Sequence, residues 1–425
     1  MRAAVLALLS LAATAHRPAP RAAQTPGAEP GAELIITLLT FEPGGQVWER
    51  FGHNGIWVHD AAAGTDHLYD WGRFDFNAPN FFLHFAQGKM WYSMGDNTDV
   101  AGVAAFYAGE GRKAWAQELD LTPAQRLQLR EFLEWNIRPE HAGYAYDYYR
   151  DNCSTRLRDA LDRVLGGSIA RYGAAPSGFT WREETRRLDQ HNAALYTGLM
   201  VALGQPVDHE MTRWEQMFLP IRLREHLDSV TVTGPDGVAR PLVKQERVLN
   251  DGGRYPVPAR PSSWTVRYLL VGVLTGGLLV FLGGGSLPAQ APSPAPSRLG
   301  ARRWFFLALA TLWSLLAGIL GLVLTWLWVF SIHLVAHSNE NILLFNLLAL
   351  ALAIVLPSAV RGKAWAAQPA RRLALAVAVL AALGLALKVL PSFYQSNLEL
   401  IALALPVHAG LVLGLSRAVP RTSRA

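Results

Sequence analysis

The chain has 425 residues, of which 51% are hydrophobic and only 17% charged, with a formal net charge of +6. Such a length exceeds one ordinary domain, and the balance excludes an intrinsically disordered chain, tilting instead toward a membrane protein. No basic, aromatic-interleaved groove of a nucleic-acid module is present; many of the basic residues lie beside or between apolar runs, where orientation in a bilayer accounts for them.

Residues 1–23 are expected to be a signal peptide and leader. Met1-Arg2 supplies a positive start, Ala3 to Ala13 an apolar stretch, and Ala13-Thr14-Ala15 a small-x-small cleavage pattern. Residues 24–262 then read as an exported soluble domain. Leu34 to Leu39 is a short strand, and Gly55 to Val58 and His67 to Trp71 are two strands joined by a turn at 61–65. Asn80 to Met94 is strongly aromatic and ends in a strand at Lys89 to Ser93; its rings Phe81, Phe82, Phe85, Trp91 and Tyr92 suit either a core or an acyl-chain contact. Thr122 to Trp135 has helical spacing behind a Thr-Pro start, and Ser154 to Leu165 repeats apolar residues at intervals of three and four. Thr212 to Leu227 is a further helix that Pro220 should kink or divide, and Val230 to Val243 a terminal hairpin.

Residues 263–425 carry five apolar runs, at 267–284, 304–330, 342–357, 372–390 and 397–416, against the roughly 20 residues that cross a hydrocarbon core. With 24–262 outside the cytoplasm, the inner loops should be basic. Loop 285–303 has Arg298, Arg302 and Arg303, loop 358–371 has Arg361, Lys363 and Arg371, and the tail adds Arg417, Arg421 and Arg424. The outer loops 331–341 and 391–396 contain neither Lys nor Arg. The expectation is therefore a multi-pass protein of a bacterial inner membrane with its soluble domain in the periplasm.

Cys153 is the single cysteine. Structural cysteines in an oxidising compartment normally come in pairs, so Cys153 is an inert core thiol, an intermolecular bridge or a nucleophile. It opens the amphipathic helix of Asp151-Asn152-Cys153-Ser154-Thr155-Arg156, where the helix N-terminus favours a thiolate and its N–H groups suit an oxyanion. Asn152 and Ser154 also read as simple capping residues. A thiol nucleophile needs a base held by a third polar group. Among 12 histidines, His53 stands out because it enters a strand between Gly52 and Gly55. Asp70 on the next strand is the candidate to orient it, with His67 as the rival; the register decides.

These residues resemble circularly permuted papain-like proteins, such as the lecithin:retinol acyltransferase group, in which a strand His precedes a Cys at a later helix start. More specifically, Phe51-Gly52-His53-Asn54, Tyr69 to Phe76, Asn80 to Lys89 and Tyr148 to Arg156 resemble the Lnb N-terminal periplasmic domain family, which contains a lipoprotein N-acyltransferase. His337 to Asn346 resembles the membrane half of that family. The resemblance implies an α+β permuted papain-like exported domain followed by an all-α transmembrane bundle of about five helices. It implies thiol-dependent acyl transfer with Cys153 as nucleophile and His53 as base; the family pattern often has Asn where this chain has Asp70. The expected reaction moves a phospholipid acyl chain through a thioester to the N-terminus of a lipoprotein. A papain-like hydrolase, either phospholipase or cell-wall peptidase, and a non-catalytic envelope scaffold are the alternatives. Arg150 and Arg156 are candidates for a phosphate head group, or else partners of Asp147 and Asp151. His337, Asn339 and Asn341, at the outer end of the second and third spans, are candidates for a lipid or substrate entry site. No metal-ligand spacing such as HExxH occurs, so neither a metal nor a cofactor is expected.

Overall fold

The computed structural model describes residues 29–234, 236–253, 256–284 and 299–419; the expected signal segment lies outside them. Seven strands form one antiparallel sheet: β1 (Leu34–Phe41), β2 (His53–Asp60), β3 (Thr65–Arg73), β4 (Trp91–Asn97), β5 (Ala114–Leu119), β6 (Gly143–Ala145) and β7 (Val243–Asn250). Their spatial order is β7-β5-β1-β2-β3-β4-β6. The inner strand β1 is apolar at six of its eight positions because both its faces are covered. Leu34, Ile36 and Leu38 pack against helices α3 (Pro123–Asn136) and α4 (Cys153–Val164) through Leu129, Leu133, Leu157 and Leu161. Leu39 and Phe41 face the other way, toward helix α2 (Val100–Gly109), with Val100 and Leu68. Each fully buried leucine of α4 contributes about 2 kcal/mol by transfer from water.

The elements read from the sequence are present with altered ends. The 3.6-residue patterns give α3 and α4, each opened by a reciprocal cap, Thr122 with Gln125 and Asn152 with Thr155. Pro220 divides the 212–227 stretch into Arg213–Gln216 and α7 (Pro220–Leu227), consistent with its missing N–H. The aromatic stretch becomes helix α1 (Phe81–Gln87) followed by β4, which begins at Trp91, two residues past the expected start. The hairpin Thr231–Thr233 with Ala239–Pro241 forms, and the chain then continues into β7, which pairs with β5. Helices α5 (Trp181–Asp189) and α6 (Ala193–Ala202) complete the domain.

Five helices are long and apolar enough to cross a membrane: Thr265–Gly283, Ala301–Phe330, Glu340–Val360 (opened by a 3-10 turn), Ala364–Val389 and Leu398–Ala418. They match the five expected runs, and Pro406 does not end the fifth. The first and fifth spans touch backbone to backbone at glycine. A Cβ built on Gly276 would lie 2.3 Å from the carbonyl oxygen of Pro406, and one on Gly410 2.3 Å from that of Gly276. Small residues of this kind let membrane helices approach.

The ends of the bundle differ as the charges anticipate. At one end Arg303 donates to the Ala418 carbonyl at 2.5 Å, and Arg302 and Arg371 donate to the carbonyls of Phe281 and Val419. The loops without Lys or Arg lie at the other end and bind the sheet domain. Asn339 donates to the carbonyls of Val201 and Ala202, Asn341 to those of Met200 and Val201, and Gln395 to that of Leu203, all at 2.8–3.0 Å. The last carbonyls of a helix have no partner within it; those of α6 are satisfied by membrane-loop amides.

Candidate active site

His53 pairs with Phe41 of β1 at the start of β2, and Asn54 beside it is fixed by donating to Thr40 Oγ1 at 2.9 Å. Asp70 lies on β3, with one carboxylate oxygen 3.0 Å from His53 Nε2 and the other accepting from Arg73 Nε at 2.8 Å. His67 is three residues away and so faces the opposite side of the strand. There it stacks on Tyr69 and bonds Asp96 at 3.1 Å, which leaves Asp70 as the partner of His53.

Cys153 meets the sheet where β3 bulges between Trp71 and Arg73. At that bulge Gly72 has φ +102°, and a Cβ there would sit 3.6 Å from Cys153 Cβ. Gly72, rather than Gly52 or Gly55, is the glycine beside the helix end, and its positive φ is what calls for glycine. The Cys153 thiol lies close enough to His53 to help raise the imidazole pKa. Asp70 occupies Nε2, which leaves Nδ1 as the other ring nitrogen. Burial works to depress the imidazole pKa. Tyr107, the Asp70 hydrogen bond and Cys153 oppose it, and the balance holds His53 well above the ordinary histidine range. Burial likewise works to raise Asp70, but its bonds to His53 and Arg73 keep its carboxyl below the usual range. A cleft of about 320 Å³ opens onto His53 and Asp70 between Arg73, Phe106 and Tyr107.

Asn152 holds the helix start from four directions. Its carbonyl oxygen accepts from the N–H groups of Ser154 and Thr155, both at 2.9 Å, and its amide donates to the carbonyls of Tyr148 and Phe218. Ser154 is fully buried and donates to the Met217 carbonyl at 2.8 Å. Neither side chain is free to meet a substrate; both position Cys153. The cap also corrects the expected oxyanion donors, because the N–H groups of residues 154 and 155 are taken, whereas the cap leaves Cys153's own N–H. Tyr144 was not singled out from the sequence, although the alternation Tyr144-x-Tyr146-x-Tyr148 before the cysteine was a signal. It is 4% exposed, packs in the same core as Cys153, and its hydroxyl makes no hydrogen bond within the protein. Burial and, secondly, the charge of Cys153 push its pKa up, so it stays a neutral O–H donor.

The remaining expected site residues are spread more widely. Arg156 is held by Asp151 through two bonds, at 2.5 and 2.7 Å, with its guanidinium 4.3 Å above the Tyr144 ring. Arg150 is exposed. Asn339 and Asn341 are buried in the α6 junction and tie the halves together, while His337 Nε2 is bound to the Ser331 carbonyl at 2.9 Å within the same loop, so none of the three is bonded within the thiol site. Among the described residues, no group of three or more His, Cys, Asp or Glu side chains is arranged to hold a metal ion.

A thiol–imidazole–carboxylate line on an α+β domain, fused to five membrane helices, defines a multi-pass membrane protein with a periplasmic domain. The Lnb N-terminal periplasmic domain matches residues 30–186, and the Lnb transmembrane domain matches residues 300–417. The chain belongs to the Lnb family. Searches of curated proteins and of solved structures found no match.

Proposed function

We propose that this protein is a cysteine acyltransferase that moves an acyl chain from a membrane phospholipid, through a thioester on Cys153, to the N-terminal amine of a lipoprotein. The observation that carries the proposal is a His53 ring bonded to the Asp70 carboxylate and close to the Cys153 thiol, in a domain fastened to a membrane bundle.

In the first half-reaction Cys153 Sγ, as a thiolate beside the His53 imidazolium, attacks an ester carbonyl of the phospholipid. The C–S bond forms and the oxyanion is met by the Cys153 N–H and the Tyr144 hydroxyl. Collapse breaks the ester C–O bond, and the leaving lysophospholipid oxygen takes the His53 proton. In the second half the acceptor amine attacks the thioester carbonyl and gives its proton to His53. The C–N bond forms, the C–S bond breaks and the thiolate returns. Asp70 holds the ring through both halves without changing its own protonation.

The test is intact-mass analysis of the full-length protein in phospholipid vesicles. An acyl adduct that maps to Cys153, disappears in Cys153→Ala, and is discharged by a diacylated lipoprotein with formation of an amide supports the proposal. Release of free fatty acid with no amide product would make the enzyme a phospholipase. Undiminished lipoprotein acylation by Cys153→Ala would sink the thiol mechanism.

A further inference from the structure

Helix α1 presents apolar side chains where a soluble domain would not: Phe82 is 74% exposed, Leu83 50% and Phe85 40%. Scattered exposed apolar groups need no explanation, but a contiguous cluster of large ones does. This cluster is tied directly to the membrane bundle. The carbonyl of Gln87 accepts from Ile332 N at 2.9 Å, and that of Phe85 lies 2.7 Å from His333 Nε2. The tie is close because Gly88 has φ +81° and no Cβ; a Cβ there would fall 2.9 Å from Ile332. Ile332 lies two residues past the second span, whose last residues Val329 and Phe330 are each 65% exposed, and is itself 62% exposed. The uncovered face of α1 therefore continues the lipid-facing surface of a membrane helix at its periplasmic end.

Behind α1 the rings run inward. Phe85 meets Tyr148 at 6.0 Å, Tyr148 meets Tyr146 at 5.4 Å, and Tyr146 stacks on Tyr92 at 4.2 Å. Tyr146, Tyr148 and Cys153 pack against the same core.

We infer that α1 is seated in the outer leaflet of the membrane, with Phe82, Leu83 and Phe85 among lipid acyl chains, and that the rings behind it lead an acyl chain from the leaflet to Cys153. The occupant is the lipid surface. Continuity with the spanning helices argues for it over a protein partner, and Trp, Tyr and Phe are the side chains that settle at that depth. The role in donor supply rests on the thioester reading above; the seating of α1 does not.

The single cysteine makes a direct test available. In full-length Cys153→Ala protein reconstituted in phosphatidylethanolamine/phosphatidylglycerol vesicles, Phe82→Cys is spin-labelled and its collision rates with oxygen and with a water-soluble nickel chelate are compared. Leu274→Cys on the first span is the lipid reference and Ala62→Cys on the β2–β3 turn the water reference. The expected oxygen-to-nickel ratio at position 82 is within about twofold of the lipid reference; a ratio equal to that at position 62 overturns the seating. In the protein that keeps Cys153, Phe82→Asp should slow adduct formation from vesicle phospholipid at least tenfold while leaving acylation by a water-soluble activated ester unchanged. Equal rates from phospholipid would refute the donor route even with α1 seated. Loss of both reactions would mean that Phe82 shapes the thiol site itself and would overturn the donor route, whereas a protein with α1 seated but no adduct on an intact Cys153 from either donor would sink the thioester reading instead.

Discussion

Replacing Asp70 separates an orienting carboxylate from a bystander. In the folded protein its carboxylate is shared between His53 at 3.0 Å and Arg73 at 2.8 Å, and the His53 and Asp70 side chains are only 23% and 22% exposed. A charge-assisted hydrogen bond in that setting is worth about 1.5–3 kcal/mol, and its loss in Asp70→Ala should lower the acylation rate of Cys153 roughly 10- to 150-fold. Asp70→Asn keeps an acceptor without the charge and should stay within about tenfold of the parent. The pH response fixes the sign. His53 lies above the usual histidine value of 6.5, so its favourable pairing is fully present below that value and is lost as pH rises through the raised folded value. Asp70 lies below its usual 3.8, so its share is present above that value and is lost as pH falls through the depressed one. Both substitutions should therefore destabilise the protein most between about pH 4 and pH 6.5; in more alkaline buffer the His53 share is lost and the difference narrows, while the Asp70–Arg73 share remains. They should also move the alkaline limb of the acylation profile to lower pH, because the imidazolium is held less firmly. The assay is adduct formation by mass spectrometry across pH, with melting temperature in detergent followed in parallel. If Asp70→Ala reproduced both the parental rate and the parental alkaline limb, Asp70 would not act on His53 and the three-residue line would be wrong.

Tyr144→Phe removes only the proposed oxyanion hydroxyl; it should lower kcat for acylation by about 10²-fold with KM nearly unchanged, read from steady-state kinetics on a phospholipid analogue. Asn152→Ala deletes the α4 cap and should lower folding stability by about 1–2 kcal/mol and slow Cys153 acylation. Asn152→Asp keeps the acceptor for the Ser154 and Thr155 N–H groups but loses the donors to the Tyr148 and Phe218 carbonyls, and should not restore parental stability, measured by thermal melting. Asn341→Ala frees the carbonyls of Met200 and Val201, so amide exchange should rise selectively across Ala193–Ala202, while a soluble activated ester should still acylate Cys153. Gly276→Leu places a side chain where the Pro406 backbone already lies; the first and fifth spans should separate, seen as lost crosslinking between cysteines introduced on each in a Cys153→Ala background.

Local pattern accounts for what the sequence discloses and what it conceals. The five spans, the α3 and α4 helices and the charge asymmetry of the loops are all short-range signals, and each returns in the structure, the fourth span beginning eight residues before its expected start and the others within a few residues. The division at Pro220 is equally local. Asp70 against His67 was a question of strand parity, which needs the β2–β3 register, and that register is a tertiary fact. The pairing of β5 with β7 joins residues more than a hundred positions apart and leaves no periodicity of its own. Asn339 and Asn341 read as site residues because polar groups beside a membrane span suggest function. Their use became visible only with α6 in place, whose carbonyls are what they bind. Tyr144 belongs to the same kind: an alternating tyrosine run looks like plain core until its hydroxyl is found buried and unbonded beside the thiol.

Under the proposed acyl transfer, the attachment of the periplasmic domain accounts for one chain carrying both halves. A thiol on a freely tethered domain would meet an ester buried at the leaflet surface only by chance, and chemistry that depends on approach within about 3–3.5 Å is sensitive to such play. Here the restraint comes from two separated contacts. The Asn339, Asn341 and Gln395 amides grip the end of α6, and the Ile332–Gln87 and His333–Phe85 bonds grip α1. One point of attachment would leave the domain free to swing, whereas two fix its tilt over the membrane. Both draw on the loop that follows the second span, so the same short stretch of chain sets the height of α1 and the seat of α6. Cutting the α1 contact with Gly88→Val, which drives a side chain into Ile332, should leave reactivity toward a soluble ester in place and lower phospholipid turnover at least tenfold. Equal loss toward both donors would mean that the contact shapes the thiol site itself rather than its position over the lipid.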